Sequence, residues 1–262
     1  MKKRIAMAVV FAIACPAILY LSFSPEERGI EATVSRVIDG DTIELANGDV
    51  ERLIGIDAPE KNQPYNEEIV AELRKLEGKS VRMEKDTTNK DRYGRYLRYV
   101  YFGEHFVNLE LVQSGLAYVY SVSPDKKHAD SFKDAERYAM ESGLGIWKKS
   151  DYSSCVVLEK FHYNARGEDP DNLVDEYFSI MNVCSSSMDL SGWKVRNKYR
   201  YFEIPSFEMN SGSAVRISTG NGTQSPGLVF LSQDRPIWSN KEDSMYLIDS
   251  DDRVVLEKSY KN

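Results

Sequence analysis

The stretch Val37 to Glu60 reads V-I-D-G-D-T-I-E-L-A-N-G-D-V-E-R-L-I-G-I-D-A-P-E and decides how the first half of the chain folds. Apolar and polar residues alternate from Thr42 to Ala46, Asn47-Gly48 is a strong hairpin signal, and Val50 to Ile56 supplies the returning strand. The sequence therefore predicts a β-hairpin with several acidic side chains and one arginine.

The register of this hairpin does not by itself bring its acidic groups together. A two-residue loop would place Asp41 opposite Ile54, leaving Asp57 on the order of 10 Å further along the strand. Strand parity also puts Arg52 and Asp57 on opposite faces. Asp41 and Asp57 can meet only if the strand bulges or bends, and the candidates for that bend are Gly55 and the Ala58-Pro59 turn.

Carboxylates at such a turn, with backbone carbonyls, are the ligands that Ca²⁺ prefers. Asp39-Gly40-Asp41 taken alone is more typical of an ordinary β-turn. The segment Asp91 to Arg95, D-R-Y-G-R, adds a second arginine to Arg52 within a basic, tyrosine-rich hairpin. That hairpin is either a solvated face or a phosphate-facing edge with rings on which bases stack. A metal site, two arginines and the nearby Glu60 form a constellation suited to cleaving phosphodiesters.

Four segments, in this order and spacing, resemble the staphylococcal nuclease (thermonuclease) family: V-I-D-G-D-T, R-L-I-G-I-D-A-P-E, D-R-Y-G-R and G-L-A-Y-V-Y. The resemblance covers roughly Glu31 to Trp147. It implies an α+β OB-type five-stranded barrel with helices, where periodicity alone predicts only a mixture of α and β. It further implies a Ca²⁺-dependent endonuclease that hydrolyses DNA and also RNA and leaves 3′-phosphates.

The resemblance also implies a metal site. Asp41 and Asp57 would ligate Ca²⁺ through their carboxylates, Ala58 through its backbone carbonyl, and Asp39 would be a supporting acid behind them. The staphylococcal enzyme has threonine where this chain has Ala58. A carbonyl ligand survives that change, so we expect the site to be tuned and not lost.

The same resemblance assigns the reacting groups. Glu60 would be the general base that positions or deprotonates the attacking water, and Arg52 and Arg95 would bind the scissile phosphate. The loop after Glu60 is shorter than in the family, which bears on substrate preference. Tyrosines matching the nucleotide-contacting positions are Tyr93 and one of Tyr118 or Tyr120.

Helical spacing of apolar residues predicts three helices in this half, at Asn66 to Glu77, Val107 to Ser114 and Ala129 to Ser142. Ile146-Trp147 is expected to anchor the end of the domain in its core. The three histidines have no spacing that suggests Zn²⁺ ligation: His105, His128 and His162.

Composition is compatible with two domains, since the chain has 262 residues and is 42% hydrophobic. The net charge of −7 is unusual for a protein that binds nucleic acid. It does not exclude such a partner, because affinity depends on a local basic patch.

The N-terminus has a basic head, Met1-Lys2-Lys3-Arg4, and an apolar run from Ile5 to Phe23. This pattern predicts a cleaved signal peptide or an uncleaved membrane anchor, with a lipoprotein signal ending at Cys15 as a third alternative. Residues 1–28 would thus be a targeting segment and linker. The basic flank places the remaining chain outside the cytoplasm, either secreted or anchored to the membrane.

Residues 29–150 form the expected nuclease-like domain, and residues 151–262 a second one with short strands at all-β spacing. D-E-Y-F-S-I-M-N, M-D-L-S-G-W-K-V, P-I-W-S-N and S-M-Y-L-I-D-S-D-D-R-V-V resemble the lamin-tail domain, which implies a C-terminal all-β immunoglobulin-like sandwich. Trp193 is then a core residue.

Asp169, Asp171 and Asp175 are more typical of a solvated loop than of a cation site. Cys155 and Cys184 could pair in an exported protein, although sequence cannot show that they approach.

This second half has no catalytic constellation and is expected to be a binding or targeting module of unknown ligand. The whole chain is expected to act as a monomer. The alternative to an enzyme is a catalytically inactive module that binds nucleic acid or a surface. The presence of every residue of the implied site, namely Asp41, Arg52, Asp57, Glu60 and Arg95, favours the enzyme.

Overall fold

The computed structural model describes residues 29–166 and 172–262. The predicted signal or anchor segment and the loop residues Asp169 and Asp171 lie outside these ranges. No helix in the described ranges is long and apolar enough to cross a bilayer.

The first half of the described chain folds into a closed barrel. Its strands are β1 (Ile30–Asp39), β2 (Thr42–Leu45), β3 (Val50–Leu53), β4 (Gly55–Asp57), β5 (Ser80–Glu84), β6 (Tyr96–Phe102), β7 (His105–Phe106) and β8 (Tyr118–Tyr120). Five of them run in the order β3-β2-β1-β5-β6, and a parallel pairing of β3 with β6 closes the circle. The expected OB-type five-stranded barrel is confirmed.

Three helices pack on this barrel: α1 (Asn66–Arg74), α2 (Val107–Gln113) and α3 (Ala129–Ser142). The predicted apolar positions of α3 are buried, since Phe132, Ala135 and Ala139 are at most 8% exposed. The first helix ends three residues earlier than predicted. The residues after Arg74 form turns that lead to Gly78, whose φ of +73° ends the segment.

The central hairpin is shifted by one residue from the prediction. Thr42 pairs with Arg52, and the Leu53 amide donates to the Asp41 carbonyl (2.8 Å), so Asp41 lies level with Leu53 and not with Ile54. The reason is the loop. Leu45 and Asp49 are hydrogen bonded and Gly48 has φ of +87°, so the connection has three residues where two were predicted.

The predicted bend after this hairpin is at Gly55. Its φ is +83°, and it begins β4, which leaves the barrel to pair with β8 so that Asp57 lies opposite Tyr118. A side chain at Gly55 would overlap the ring of Phe132 on α3. Glycine therefore allows both the backbone conformation and the close approach of helix to strand.

The second half is an immunoglobulin-like β-sandwich, as predicted. Its strands are β9 (Val156–His162), β10 (Tyr177–Asn182), β11 (Met188–Asp189), β12 (Lys194–Arg196), β13 (Tyr201–Glu203), β14 (Glu208–Met209), β15 (Ala214–Ser218), β16 (Leu228–Phe230), β17 (Glu242–Ile248) and β18 (Val254–Lys261). One sheet has the order β16-β15-β10-β9 and another the order β13-β12-β17-β18. Trp193 is 1% exposed in the core of this half. Cys155 and Cys184 form a disulfide.

Each half has its own apolar core, and a separate apolar cluster lies between the two halves. Trp147 packs edge-on against Tyr118 and lies 5.3 Å, centroid to centroid, from the ring of Tyr246 on β17. The Val254 amide donates to the Lys148 carbonyl (2.7 Å). Ile146 and Trp147 are buried at the end of the first domain as predicted, but in a cluster shared with the second domain and not in the core of the barrel.

Candidate active site

An open cleft of about 1320 Å³ lies at the end of the barrel where β3 turns into β4. Most of the residues that the sequence singled out line it. They are Asp39, Asp41, Arg52, Asp57, Ala58, Glu60, Arg95 and Tyr120. The cleft therefore gathers side chains from four separate segments of the first domain.

Arg52 joins the two aspartates. Its Nη2 lies 2.8 Å from Asp41 Oδ2 and 3.7 Å from Asp57 Oδ1, and it donates to the Ile56 carbonyl (3.0 Å). The bend at Gly55 makes this possible, since it turns Asp57 back toward the face that carries Arg52. The two carboxylates thus converge on a single position of positive charge.

Burial changes the ionisation of these carboxyls. Burial raises the pKa of Asp41 to about 6, although the neighbouring Arg52 lowers it. Burial also raises the pKa of Asp57, against the charges of Arg52 and of Arg196 from the second domain. Two poorly solvated carboxylates are stable in ionised form only beside a cation, which here is Arg52.

A hard cation fits this donor set. Arg52 Nη2 now lies between the two carboxylates, at 2.8 Å from Asp41 and 3.7 Å from Asp57, and carboxylate oxygens are the ligands that such a cation prefers. Ala58 lines the same cleft, with its amide 3.4 Å from Asp41 Oδ2. No group of three or more His, Cys, Asp or Glu side chains suited to a metal occurs in the described ranges.

Asp39 supports Asp41 from behind. Its Oδ1 accepts a hydrogen bond from the Asp41 amide (3.1 Å) and so fixes the turn that leads into β2. Thr42 adds a contact that the sequence did not suggest. Its hydroxyl donates to Asp41 Oδ1 (2.9 Å) and accepts from Arg95 Nη1 (3.4 Å), which links the acidic pair to the second arginine.

Arg95 is held by Asp91. The Asp91 carboxylate pairs with Arg95 Nε at 2.7 Å and accepts the backbone amides of Tyr93 and Arg95. An aspartate that accepts amides two and four residues later is the signature of a turn, so D-R-Y-G-R contained this signal. The remaining Arg95 nitrogens can face the cleft.

Glu60 is exposed at the cleft wall on a well-fixed turn. The Glu60 amide donates to Gln63 Oε1 (2.8 Å), and the Gln63 amide donates to the Glu60 carbonyl (2.8 Å). Asn66 Nδ2 holds the Pro59 carbonyl at 2.7 Å. The backbone that carries Glu60 is therefore tied to the start of α1.

The three candidate tyrosines lie in different environments. Tyr120 lines the cleft, and Tyr93 is 69% exposed on the loop before Arg95. Tyr118 does not reach the cleft. It is 6% exposed, and its hydroxyl is hydrogen bonded to Tyr201 of the second domain (2.7 Å). Of the pair Tyr118 and Tyr120, only Tyr120 could contact a substrate in this cleft, because the second domain covers Tyr118.

The second domain also contributes to the cleft. Lys194 and Asp252, which form an ion pair at 2.7 Å, line it together with residues of the first domain. Sequence reasoning missed both residues, because each lies more than 130 positions from Glu60 or from Asp57 and belongs to another domain. The spacing of apolar residues predicts helices and strands, but it does not predict contacts between two domains.

An OB-fold barrel with two convergent carboxylates, a glutamate and two arginines in one cleft defines the class of phosphodiester-hydrolysing enzymes. The staphylococcal nuclease homologue family model matches residues 51–149, and the lamin tail domain model matches residues 150–262. The chain belongs to the staphylococcal nuclease family and is a nuclease of that family, followed by a lamin tail domain.

Several characterised proteins are similar to this chain. The thermonuclease of Staphylococcus intermedius is 34% identical over 168 residues, which are 57% of this chain and 100% of the relative. The thermonuclease of Staphylococcus hyicus is 31% identical over 166 residues, 55% of this chain and 98% of the relative. The SPbeta prophage-derived endonuclease YokF of Bacillus subtilis is 38% identical over 136 residues, 47% of this chain and 46% of the relative.

Proposed function

We propose that this protein is a Ca²⁺-dependent endonuclease that hydrolyses phosphodiester bonds of DNA and RNA outside the cytoplasm and leaves 3′-phosphates. One observation carries the proposal. Asp41 and Asp57 converge on Arg52 in the cleft that Glu60 and Arg95 also line.

Asp41, Asp57 and the Ala58 carbonyl would hold the Ca²⁺, which when bound would supply positive charge against the phosphate. Arg52 and Arg95 bind the non-bridging phosphate oxygens and stabilise the charge that builds on them. Arg52 then exchanges its contacts with the carboxylates for contacts with the phosphate. Asp91 keeps Arg95 oriented for the same task.

Glu60 orients the attacking water and accepts its proton. The water oxygen forms a new bond to phosphorus, the bond from phosphorus to the 5′ oxygen breaks, and the 5′ oxygen leaves with a proton from solvent. The phosphate stays on the 3′ side. The turn fixed by Gln63 and Asn66 limits how far Glu60 can move during this step.

The test is cleavage of plasmid DNA, single-stranded DNA and RNA by the purified protein with Ca²⁺ and then with a Ca²⁺ chelator. We expect cleavage only with Ca²⁺. Glu60→Gln and Arg95→Ala should each lower the rate by about 10²- to 10⁴-fold without changing the thermal unfolding midpoint. The matched controls are Glu141→Gln and Arg137→Ala on the solvent face of α3, which should cleave like wild type.

A folded Glu60→Gln protein with full activity would refute the assignment of the base. A folded wild-type protein that binds nucleic acid with Ca²⁺ but never cleaves it would favour the inactive binding module instead.

Action outside the cytoplasm has separate support. The disulfide between Cys155 and Cys184 suits an oxidising compartment, since such bonds are rare in the cytosol. The basic and apolar N-terminal sequence suits export or anchoring. Protease accessibility of the protein on intact cells, compared with its recovery from the medium, tests both routes. Recovery of all protein from the cytosol would contradict export.

A further inference from the structure

A second cavity, of about 460 Å³, lies between the two domains. Strand β8 and helix α3 form one wall, and β12, β17 and β18 form the other. Its lining contains five cationic and three carboxylate side chains. The cations are Lys126, Lys133, Arg196, Lys198 and Lys261, and the carboxylates are Glu136, Glu242 and Asp243.

The three carboxylates of this interdomain cavity are engaged by the protein itself. Asp243 accepts the backbone amides of Lys198 (3.0 Å) and Ser244 (2.8 Å). Glu136 accepts the amide of Val119 (2.9 Å), and Glu242 is paired with Lys261. Since five cations face three carboxylates, the lining of the cavity has a net positive charge.

Arg196 indicates the kind of ligand. Its side chain is 3% exposed, its guanidinium carbon lies 3.4 Å from the centre of the Tyr118 ring, and its Nε has no hydrogen-bond partner among the described residues. A buried charged donor without an acceptor is costly. Arg196 lines the cavity, so an anion there, such as a phosphate group, would lie beside its charge.

The hairpin loop between β12 and β13 connects this cavity to the active-site cleft. Lys198 of the loop lines the interdomain cavity, and the ring of Tyr199 meets the ring of Tyr120 at 5.8 Å between centroids. Tyr120 lines the active-site cleft, and Tyr199 is 52% exposed. The loop is well fixed, because Asn197 Oδ1 accepts the amides of Tyr199 and Arg200 (2.9 and 2.7 Å).

We infer that a single-stranded nucleic acid leaving the active-site cleft passes the rings of Tyr120 and Tyr199 and places its phosphates in the interdomain cavity. The lamin tail domain then serves as part of the substrate-binding surface. Exposed rings beside a cationic groove are the recurring means of holding single strands, since unpaired bases stack on aromatic rings while lysines follow the backbone. This inference rests on the proposed function, because it takes the cleft as the place of cleavage.

The test measures binding and not activity. A fluorescent 12-residue oligothymidylate is titrated with the purified protein in a chelator, so that no cleavage occurs, and fluorescence anisotropy is followed at several salt concentrations. We expect Tyr199→Ala to weaken binding about fivefold to a hundredfold and Tyr199→Phe to bind like wild type. We expect Lys198→Ala to reduce the slope of log affinity against log salt by about 0.7.

The matched control is Lys258→Ala. Lys258 is exposed on β18 and is not among the residues that line the cavity. This variant should keep both the wild-type affinity and the wild-type salt slope. Photo-crosslinking of an oligonucleotide that carries 5-iodouridine should yield an adduct in the peptide that contains Tyr199.

The outcomes separate this inference from the proposed function. A wild-type protein that cleaves DNA, together with Tyr199→Ala and Lys198→Ala proteins that bind the oligonucleotide as wild type does, overturns the inference alone. A protein that shows the expected binding effects but never cleaves overturns the proposed function alone. If a duplex of the same length depended equally on Tyr199, the assignment to single strands would be wrong.

Discussion

Asp91 is the nearer of two side chains that orient Arg95, with Thr42 as the second. Burial alone would raise the pKa of Asp91, but hydrogen bonds from Arg95 and from the Tyr93 amide lower it, so the carboxylate stays ionised beside the guanidinium. The pair is only partly buried, with 31% of the Arg95 side chain exposed. Its value is therefore in positioning the arginine more than in stability.

We predict that Asp91→Ala lowers the cleavage rate about tenfold, because the Arg95 guanidinium loses its orienting partner. The double variant Asp91→Ala with Arg95→Ala should be no slower than Arg95→Ala alone, since Asp91 acts through Arg95. Single-turnover cleavage of an oligonucleotide measures this. Asp130→Ala, which removes an exposed aspartate of α3, is the control. Additive losses in the double variant would contradict a positioning role.

Glu51 and Arg98 form a buried pair inside the barrel, each less than 5% exposed, with 3.8 Å between Glu51 Oε2 and Arg98 Nε. Burial raises the pKa of Glu51 to about 7, in spite of the charge of Arg98. The folded protein therefore holds this proton more tightly than the unfolded chain. Its contribution to stability is complete below about pH 4.5 and is lost as pH rises through about 7.

We compare the free energy of unfolding of wild type with that of Glu51→Gln at each pH. We predict that the wild-type value minus the variant value falls by about 1 to 3 kcal/mol between pH 4.5 and 8. Urea unfolding of both proteins across this range gives the difference. Glu104→Gln, at an exposed turn, should show a difference that does not vary with pH. A flat difference for Glu51→Gln would mean that Glu51 titrates at an ordinary pH.

At the scale of the element, the β3-β4 segment places the site. One glycine turns the chain out of the barrel and onto β8, which brings Asp57 toward Arg52 and Asp41. A residue with a Cβ would meet two obstacles at Gly55, since φ is +83° and the Phe132 Cζ would lie 2.8 Å from the new atom. Site geometry and helix packing therefore depend on the same position.

We predict that Gly55→Ala lowers the free energy of unfolding by about 2 to 4 kcal/mol, because the added Cβ causes backbone strain and overlaps with Phe132. The variant should also cleave more slowly than wild type, because Asp57 would be displaced. Gly48→Ala is the matched control. Its φ is +87°, but nothing lies within 4 Å of the added Cβ. It should lose only about 1 kcal/mol from backbone strain. Equal losses in urea unfolding of the two variants would exclude a packing effect.

At the scale of the whole molecule, the two domains share buried aromatic rings. Tyr118, Trp147 and Tyr246 are each less than 10% exposed and pack on one another across the boundary. The Lys148 and Val254 backbones add a hydrogen bond beside them. An interface of this kind couples the unfolding of one domain to that of the other.

We predict one calorimetric transition for the wild-type protein. Tyr246→Ala should lose about 3 kcal/mol and separate the unfolding of the two domains, because it removes a ring from the shared cluster. Tyr138→Ala removes a half-exposed ring of α3 and should change stability by less than about 0.5 kcal/mol. Two transitions in wild type would show that the interface is weaker than its burial indicates.

The sequence by itself determined the parts of this protein that depend on local pattern. Alternation and Asn47-Gly48 specified the central hairpin, Gly55 was one of two candidates for the bend, and the apolar spacing of α3 specified its buried face. The four motifs identified the family and most of the residues of the cleft. Local pattern is sufficient here because backbone conformation and strand parity are set by neighbouring residues.

Only the tertiary structure decided what lies between distant segments. It placed the hairpin one residue out of the expected register, because the loop has three residues and not two. It put Tyr118 and Trp147 in the interface, brought Lys194 to the active-site cleft, and placed the ring of Tyr199 against that of Tyr120. Such contacts come from the packing of two independent cores against each other, and packing between cores leaves no period in the sequence.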